Sequence, residues 1–153
     1  MTPESEDRRW MERALAEARL AFGEGEVPVG CVVVHEGRLV GRGRNSVERL
    51  GDPTAHAEML ALTAAAGTLG SWRLNGCTLY ASLEPCTMCI GAIHLARITR
   101  LVFGARDPKF GACGSILDVP AEPRWNHHLE VVEGVLAEES SRLMRDFFRR
   151  LRH

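Results

Sequence analysis

Residues 77–105 read CTLYASLEPCTMCIGAIHLARITRLVFGA. CTLYASL and TRLVFGA are short, apolar and rich in residues that suit a pleated, buried surface, so each predicts a strand. Between them Pro85 resists a preceding helical turn, and Cys86 to Ala96 contains no further proline and predicts a helix.

The same alternation continues outward. VPVGCVVVH from Val27 predicts a buried strand, Glu36-Gly37 a turn, and RLVGRGRN from Arg38 its hairpin partner. Trp10, Met11, Ala14, Leu15, Ala18 and Phe22 recur at helical spacing and predict a first helix ending near Gly23. Asp52 to Ala66 predicts a second helix, with Asp52 or Thr54 as cap and Pro53 in its first turn. Beyond the quoted unit come a Gly- and Asp-rich loop from Asp107 through Pro123, a strand in LEVVEGVL, and a last helix in EESSRLMRDFFRRL. The expectation is one domain over residues 1–153, a three-layer α/β/α sandwich around a mixed five-stranded sheet.

The bulk composition fits that size. The chain has 153 residues, 45% hydrophobic and 25% charged, enough to bury a core without staples. No apolar run approaches the roughly 18 residues of a membrane span. The charged N-terminus lacks a signal-peptide core, so a cytoplasmic protein is expected. Five cysteines, an odd count, favour a reduced compartment and a metal role over a disulfide framework. A net charge of −1 excludes a surface broadly coated for nucleic acid. The C-terminal SRLMRDFFRRLRH carries five arginines against one aspartate, which suits either a solvated helix end or a local RNA contact.

Chemistry concentrates in two places. Cys86 and Cys89, at i and i+3, project from the first turn of one predicted helix, where the free N–H groups favour thiolates. His56 falls at the start of another, and imidazole plus two thiolates is a zinc-binding set with its fourth position open. Taken alone, the cysteines fit a redox dithiol or core packing equally well, and a single histidine is usually an ordinary polar residue. Cys77, Cys113 and His94 are formal candidates for a fourth, structural ligand, but none stands at a pair spacing.

Glu58 favours catalysis. On a helix, residues two apart are separated by about 200°, so His56 and Glu58 do not share a face and the two-histidine zinc helix is excluded. At a helix end a long carboxylate still reaches back. Zinc lowers the pKa of water to about 7, and a glutamate that accepts the proton and passes it on suits hydrolytic deamination of an amidine-like carbon.

These residues resemble a known family. His56-Ala57-Glu58 with Pro85-Cys86-Thr87-Met88-Cys89 matches the H-x-E … P-C-x-x-C signature of zinc-dependent nucleobase deaminases. Further stretches are similar to the bacterial tRNA-specific adenosine deaminases within the cytidine/deoxycytidylate deaminase superfamily. They are EVPVG from Glu26, Asn45, DPTAHAE from Asp52, LEPCTMCIGA from Leu83, RLVFGARDPKFGACGS from Arg100, Asn126-His127 and Asp146-Phe147-Phe148, together spanning about Trp10 to Arg150.

The resemblance implies conversion of a tRNA wobble adenosine to inosine by a homodimer with one zinc per subunit. It implies that His56, Cys86 and Cys89 hold Zn2+ and that Glu58 shuttles protons. Asn45 and the Ala57 N–H would bind the flipped base, and Val29 would wall its pocket. Asp107, Lys109 and Asn126 would contact the anticodon stem-loop, with Phe147, Phe148 and Arg149 bordering it. Each also has a plainer role: Asn45 and Asp107 as turn residues, Lys109 as a surface charge, Phe147 and Phe148 as core. Phe110 is bulkier than the residues expected in that loop, and Cys113 has no counterpart role.

If RNA is the ligand, Arg97, Arg100, Arg106, Lys109 and the arginine-rich C-terminus are its candidate phosphate contacts, and binding should weaken with salt. Three rivals share some of these residues. A free-base or nucleoside deaminase (guanine or cytosine) would use the same zinc and Glu58 but has no task for the GARDPKFGACGS loop. A zinc-stabilised binding module needs a filled coordination sphere and tolerates loss of Glu58. A redox protein needs neither His56 nor Glu58.

Overall fold

The computed structural model describes residues 2–152. Helix α1, Pro3–Gly23, opens on Thr2, whose hydroxyl accepts the Ser5 N–H at 3.1 Å, with Pro3 in its first turn. Strands β1, Gly30–His35, and β2, Arg38–Arg44, form the expected hairpin. Glu36 and Gly37 both take positive φ, 50° and 74°, as a two-residue hairpin turn requires. Strand β3 is Cys77–Leu83 and strand β4 Arg100–Ala105; strand β5 is Glu130–Glu133.

The sheet order is β2-β1-β3-β4-β5. β1 is antiparallel to both neighbours, while β3, β4 and β5 run parallel. The sheet is therefore mixed, and β2, β3 and β4 all point the same way. Whatever follows each of them emerges at one edge of the sheet, together with the segment that leads into β1. That convergence positions the site.

Alternation along the strands divides two cores. Cys31, Val33, Leu79, Ala81, Leu101 and Phe103 face one side, packing on helix α3, Ala57–Leu69, and helix α4, Thr87–Leu95. Val32, Val34, Tyr80 and Val102 face the other, under Trp10, Met11, Ala14 and Leu15 of α1 and Leu143 of helix α5, Ala137–Leu151. These are the three layers expected. Gly43 of β2 lets α3 sit hard on the sheet, because a Cβ there would overlap the Ala57 carbonyl and lie 2.8 Å from the Ala61 nitrogen. Among the described residues no helix is long and apolar enough to cross a membrane.

One element differs from its sequence reading. The second helix begins at Ala57, not Asp52, and a short helix α2, Val47–Leu50, precedes it. The Asp52 carboxylate accepts the Thr54 N–H and hydroxyl, both at 2.8 Å, closing a local turn instead of capping a helix.

Candidate metal centre and cleft

His56 is the residue immediately before α3 and Cys86 the residue immediately before α4. Both have extended backbones, and neither side chain caps its own helix. This corrects the sequence reading, which placed both inside helical first turns. Cys89, one turn into α4, completes a trio whose ligand atoms all lie within 4.8 Å of one another. His56 Nδ1 is 3.6 Å from Cys86 Sγ and 3.5 Å from Cys89 Sγ.

That spacing fits zinc. Tetrahedral bonds of about 2.3 Å to sulfur and 2.0–2.1 Å to nitrogen require nitrogen–sulfur edges of about 3.6 Å. Among the described residues no other His, Cys, Asp or Glu joins the group. Cys77 lies in the core, the Cys113 thiol points at the Pro85 carbonyl 3.9 Å away, and His94 is buried against Trp125.

The electrostatics suit a cation. The hydrogen bond from Cys89 pulls the Cys86 thiol down to about 4, and His56 helps despite burial. Cys89, which supplies that hydrogen bond and is buried near Glu58, is pushed up instead. The pair gives up a first proton readily and a second only against the negative charge beside it. A bound cation is what would remove that penalty.

Glu58, the second residue of α3, is 4% exposed, and burial pushes its carboxyl up to about 7. Because His56 stands outside the helix in extended conformation, the 200° separation of a regular helix does not apply, and Glu58 shares the trio's surroundings.

From the trio opens a cleft of about 1300 Å³. Val29, Asn45, Ala57 and Glu58 line it together with His56 and Cys86. Asn45 donates through Nδ2 to the Val27 carbonyl at 3.3 Å, but its Oδ1 is buried without a partner. Ala57, first residue of its helix, has an N–H with no intrahelical acceptor. Asp107, Lys109, Phe148 and Arg149 also line the cleft. Asp107 Oδ1 meanwhile accepts the Lys109 N–H at 3.0 Å, so it is a turn residue as well. Phe147 is buried edge-on to Phe22, whereas Phe148 is 41% exposed. Asn126 is exposed and lies outside the cleft lining.

The arginines sort differently from their sequence reading. Arg100 makes a two-pronged pair with Asp7, both contacts at 2.6 Å, and Arg106 a similar one with Glu133, both at 2.9 Å. Arg97, at φ 64°, donates to the His94 and Leu95 carbonyls and closes α4. These three are engaged in folding contacts. Lys109, Arg145, Arg149 and Arg152 are the basic residues that line the cleft.

Two acids were missed. Glu26, 1% exposed, accepts the Glu48 and Arg49 N–H groups at 3.0 and 2.7 Å and holds α2 at the cleft rim. Glu84 does the same for the loop after β4. The available signal was an acid flanking an apolar strand with no partner in its own element.

Comparison with known proteins places this geometry. Residues 4–105 match the model of the cytidine and deoxycytidylate deaminase zinc-binding region. The chain is 47% identical over 148 residues to a tRNA-specific adenosine deaminase of Bacillus subtilis (strain 168), covering 97% of this chain and 92% of that one. A structure from a study of A-to-I editing by tRNA:A34 deaminases at the wobble position superposes with a TM-score of 0.85 at 45% identity, over 88% of this chain and 98% of that one. A guanine deaminase from Nitrosomonas europaea superposes at 0.76 with 26% identity, over 95% of this chain and 84% of that one.

Proposed function

The chain belongs to the cytidine and deoxycytidylate deaminase zinc-binding family, and we propose that it deaminates the wobble adenosine of a tRNA anticodon to inosine. The observation that carries this reading is the cleft. At about 1300 Å³ it exceeds the roughly 300–1000 Å³ of a small-molecule pocket, and it runs from the His/Cys/Cys trio to a wall bearing Lys109, Phe148 and Arg149. A base flipped from a single-stranded loop needs a deep end, and its neighbours need a broad, basic and aromatic mouth.

His56, Cys86 and Cys89 would hold one zinc per subunit, which when bound supplies a nucleophilic hydroxide at neutral pH. The remaining work falls to the chain's own groups. The buried Glu58 carboxylate takes one proton from the attacking water and gives it to the ring nitrogen, then takes the second from the hydroxyl just added to the ring carbon and gives it to the departing amine. One water is consumed and one ammonia leaves. Asn45 Oδ1, buried without a partner, and the Ala57 N–H, which has no acceptor within its helix, hold the base edge, and Val29 walls the ring. Asp107, Lys109, Phe148 and Arg149 meet the anticodon loop, with Asn126 a contact beyond the cleft.

We also propose a homodimer working in the cytoplasm. Its support is local: Leu95 and Trp125 are exposed beside His94, whose ring is buried with both nitrogens unpartnered. All five cysteines are free, as a reducing compartment would keep them.

The test is incubation of the zinc-loaded protein with an anticodon stem-loop carrying a wobble adenosine, digestion, and mass spectrometry for inosine. Glu58→Ala runs in parallel, with free adenosine, guanine and cytosine in separate tubes. Inosine from the stem-loop, lost by about 10²-fold or more in the variant, supports the reading. Consumption of a free base with no inosine in RNA would overturn it.

A further inference from the structure

We infer that Glu84 is a positioning residue. Its buried carboxylate clamps the loop over residues 107–115 and thereby sets Asp107 and Lys109 against the RNA. The inference rests on the reading of that loop as an anticodon contact.

Glu84 lies between the end of β3 and Pro85, and only 2% of it is exposed. One oxygen accepts the Asp107 N–H at 3.0 Å and the Ser115 hydroxyl; the other accepts the Cys113 and Ser115 N–H groups at 2.9 and 3.1 Å. Those four donors fill the roughly four acceptor sites of a carboxylate. Nothing is left over for substrate, water or a metal, so Glu84 acts on the loop alone.

The loop is shaped to reach it. Gly111 packs directly against the carboxyl group, where any Cβ would overlap it. The Ala112 N–H donates to the Pro85 carbonyl at 2.9 Å, and the Glu84 N–H donates to the Ala105 carbonyl at 2.8 Å. The three residues Glu84-Pro85-Cys86 thus carry the loop's anchor at one end and a ligand of the trio at the other. The clamp keeps the loop in register with the reacting centre through a chain segment two bonds of backbone long on either side of Pro85.

Glu84→Gln tests this. The amide keeps the shape but turns an NH₂ toward N–H donors, so one end of the loop loses its acceptor. Hydrogen exchange at Asp107, Cys113 and Ser115 should quicken by about tenfold or more. The stem-loop KM should rise about tenfold while kcat changes less than about threefold, with zinc content unchanged. Ser115→Ala should do the same to a smaller degree. Ser115→Ala, which removes one donor and leaves the carboxylate itself intact, decides the matter if Glu84→Gln does not fold. Faster exchange with an unchanged KM would overturn the inference, as would lost zinc or a fall in kcat alone. A wild-type protein inactive on the stem-loop would instead defeat the functional reading, while the exchange data still report whether the clamp exists.

Discussion

His56 and Cys86 occupy equivalent places in two different helices. Each is the extended residue just before the first helical one, and their ligand atoms stand 3.6 Å apart. Two helix N-termini, with their unpaired N–H groups, therefore flank a single point where thiolate charge collects.

Removing the metal should expose that charge. A ligand at a thousandfold excess over its Kd stabilises by about 4 kcal/mol, so chelation should lower the melting temperature by roughly 8–16 °C. One thiol should then react quickly with a thiol reagent at neutral pH, because Cys86 is only partly buried and its thiol is pulled down to about 4, while Cys31, Cys77 and Cys113 are buried. Cys86→Ser should abolish that fast phase, and zinc should protect it.

Asp7 should set the acid limb of stability. Burial raises its carboxyl, but hydrogen bonds from Arg100 and Tyr80 outweigh burial and hold it below the ordinary 3.8. A carboxyl lowered by folding contributes stability that is present above its unfolded pKa and lost as pH falls through its folded pKa. Urea midpoints of the wild type should therefore fall below about pH 4. Asp7→Asn should cost about 1.5–3 kcal/mol at pH 7 and show a shallower fall.

Gly43→Ala should lift the start of α3 off the sheet. The added methyl overlaps the Ala57 carbonyl, which is backbone and cannot rotate away. A loss of about 1–3 kcal/mol is expected in denaturant titration. Because His56 and Glu58 flank Ala57, inosine formation should fall further than stability alone explains.

Salt dependence should separate free from engaged cations. Lys109→Ala should reduce the slope of log K against log salt for stem-loop binding by about 1. Arg106→Ala should leave it unchanged, since its guanidinium is taken up by Glu133.

By itself the sequence determined the layer order, the strand set and the three residues of the candidate metal site. Those depend on local matters: the period of apolar residues along each element, and the identity of side chains that can bind a soft cation. It did not determine where α3 begins, because Asp52 fits a cap and a turn equally well; in the fold it closes the turn at Thr54 while Ala57 packs on Gly43. Nor did it sort the arginines. Asp7 and Arg100 are 93 residues apart, and no local pattern reveals that one neutralises the other. The roles of Glu26 and Glu84 were hidden for the same reason, since the N–H groups they hold belong to segments 22 to 31 residues away. The common direction of β2, β3 and β4 gathers the segments that Glu26 and Glu84 hold at one edge of the sheet, while the Asp7–Arg100 pair forms where β4 begins, at the other; at both edges the pairing of charges and donors is settled by proximity and not by order along the chain.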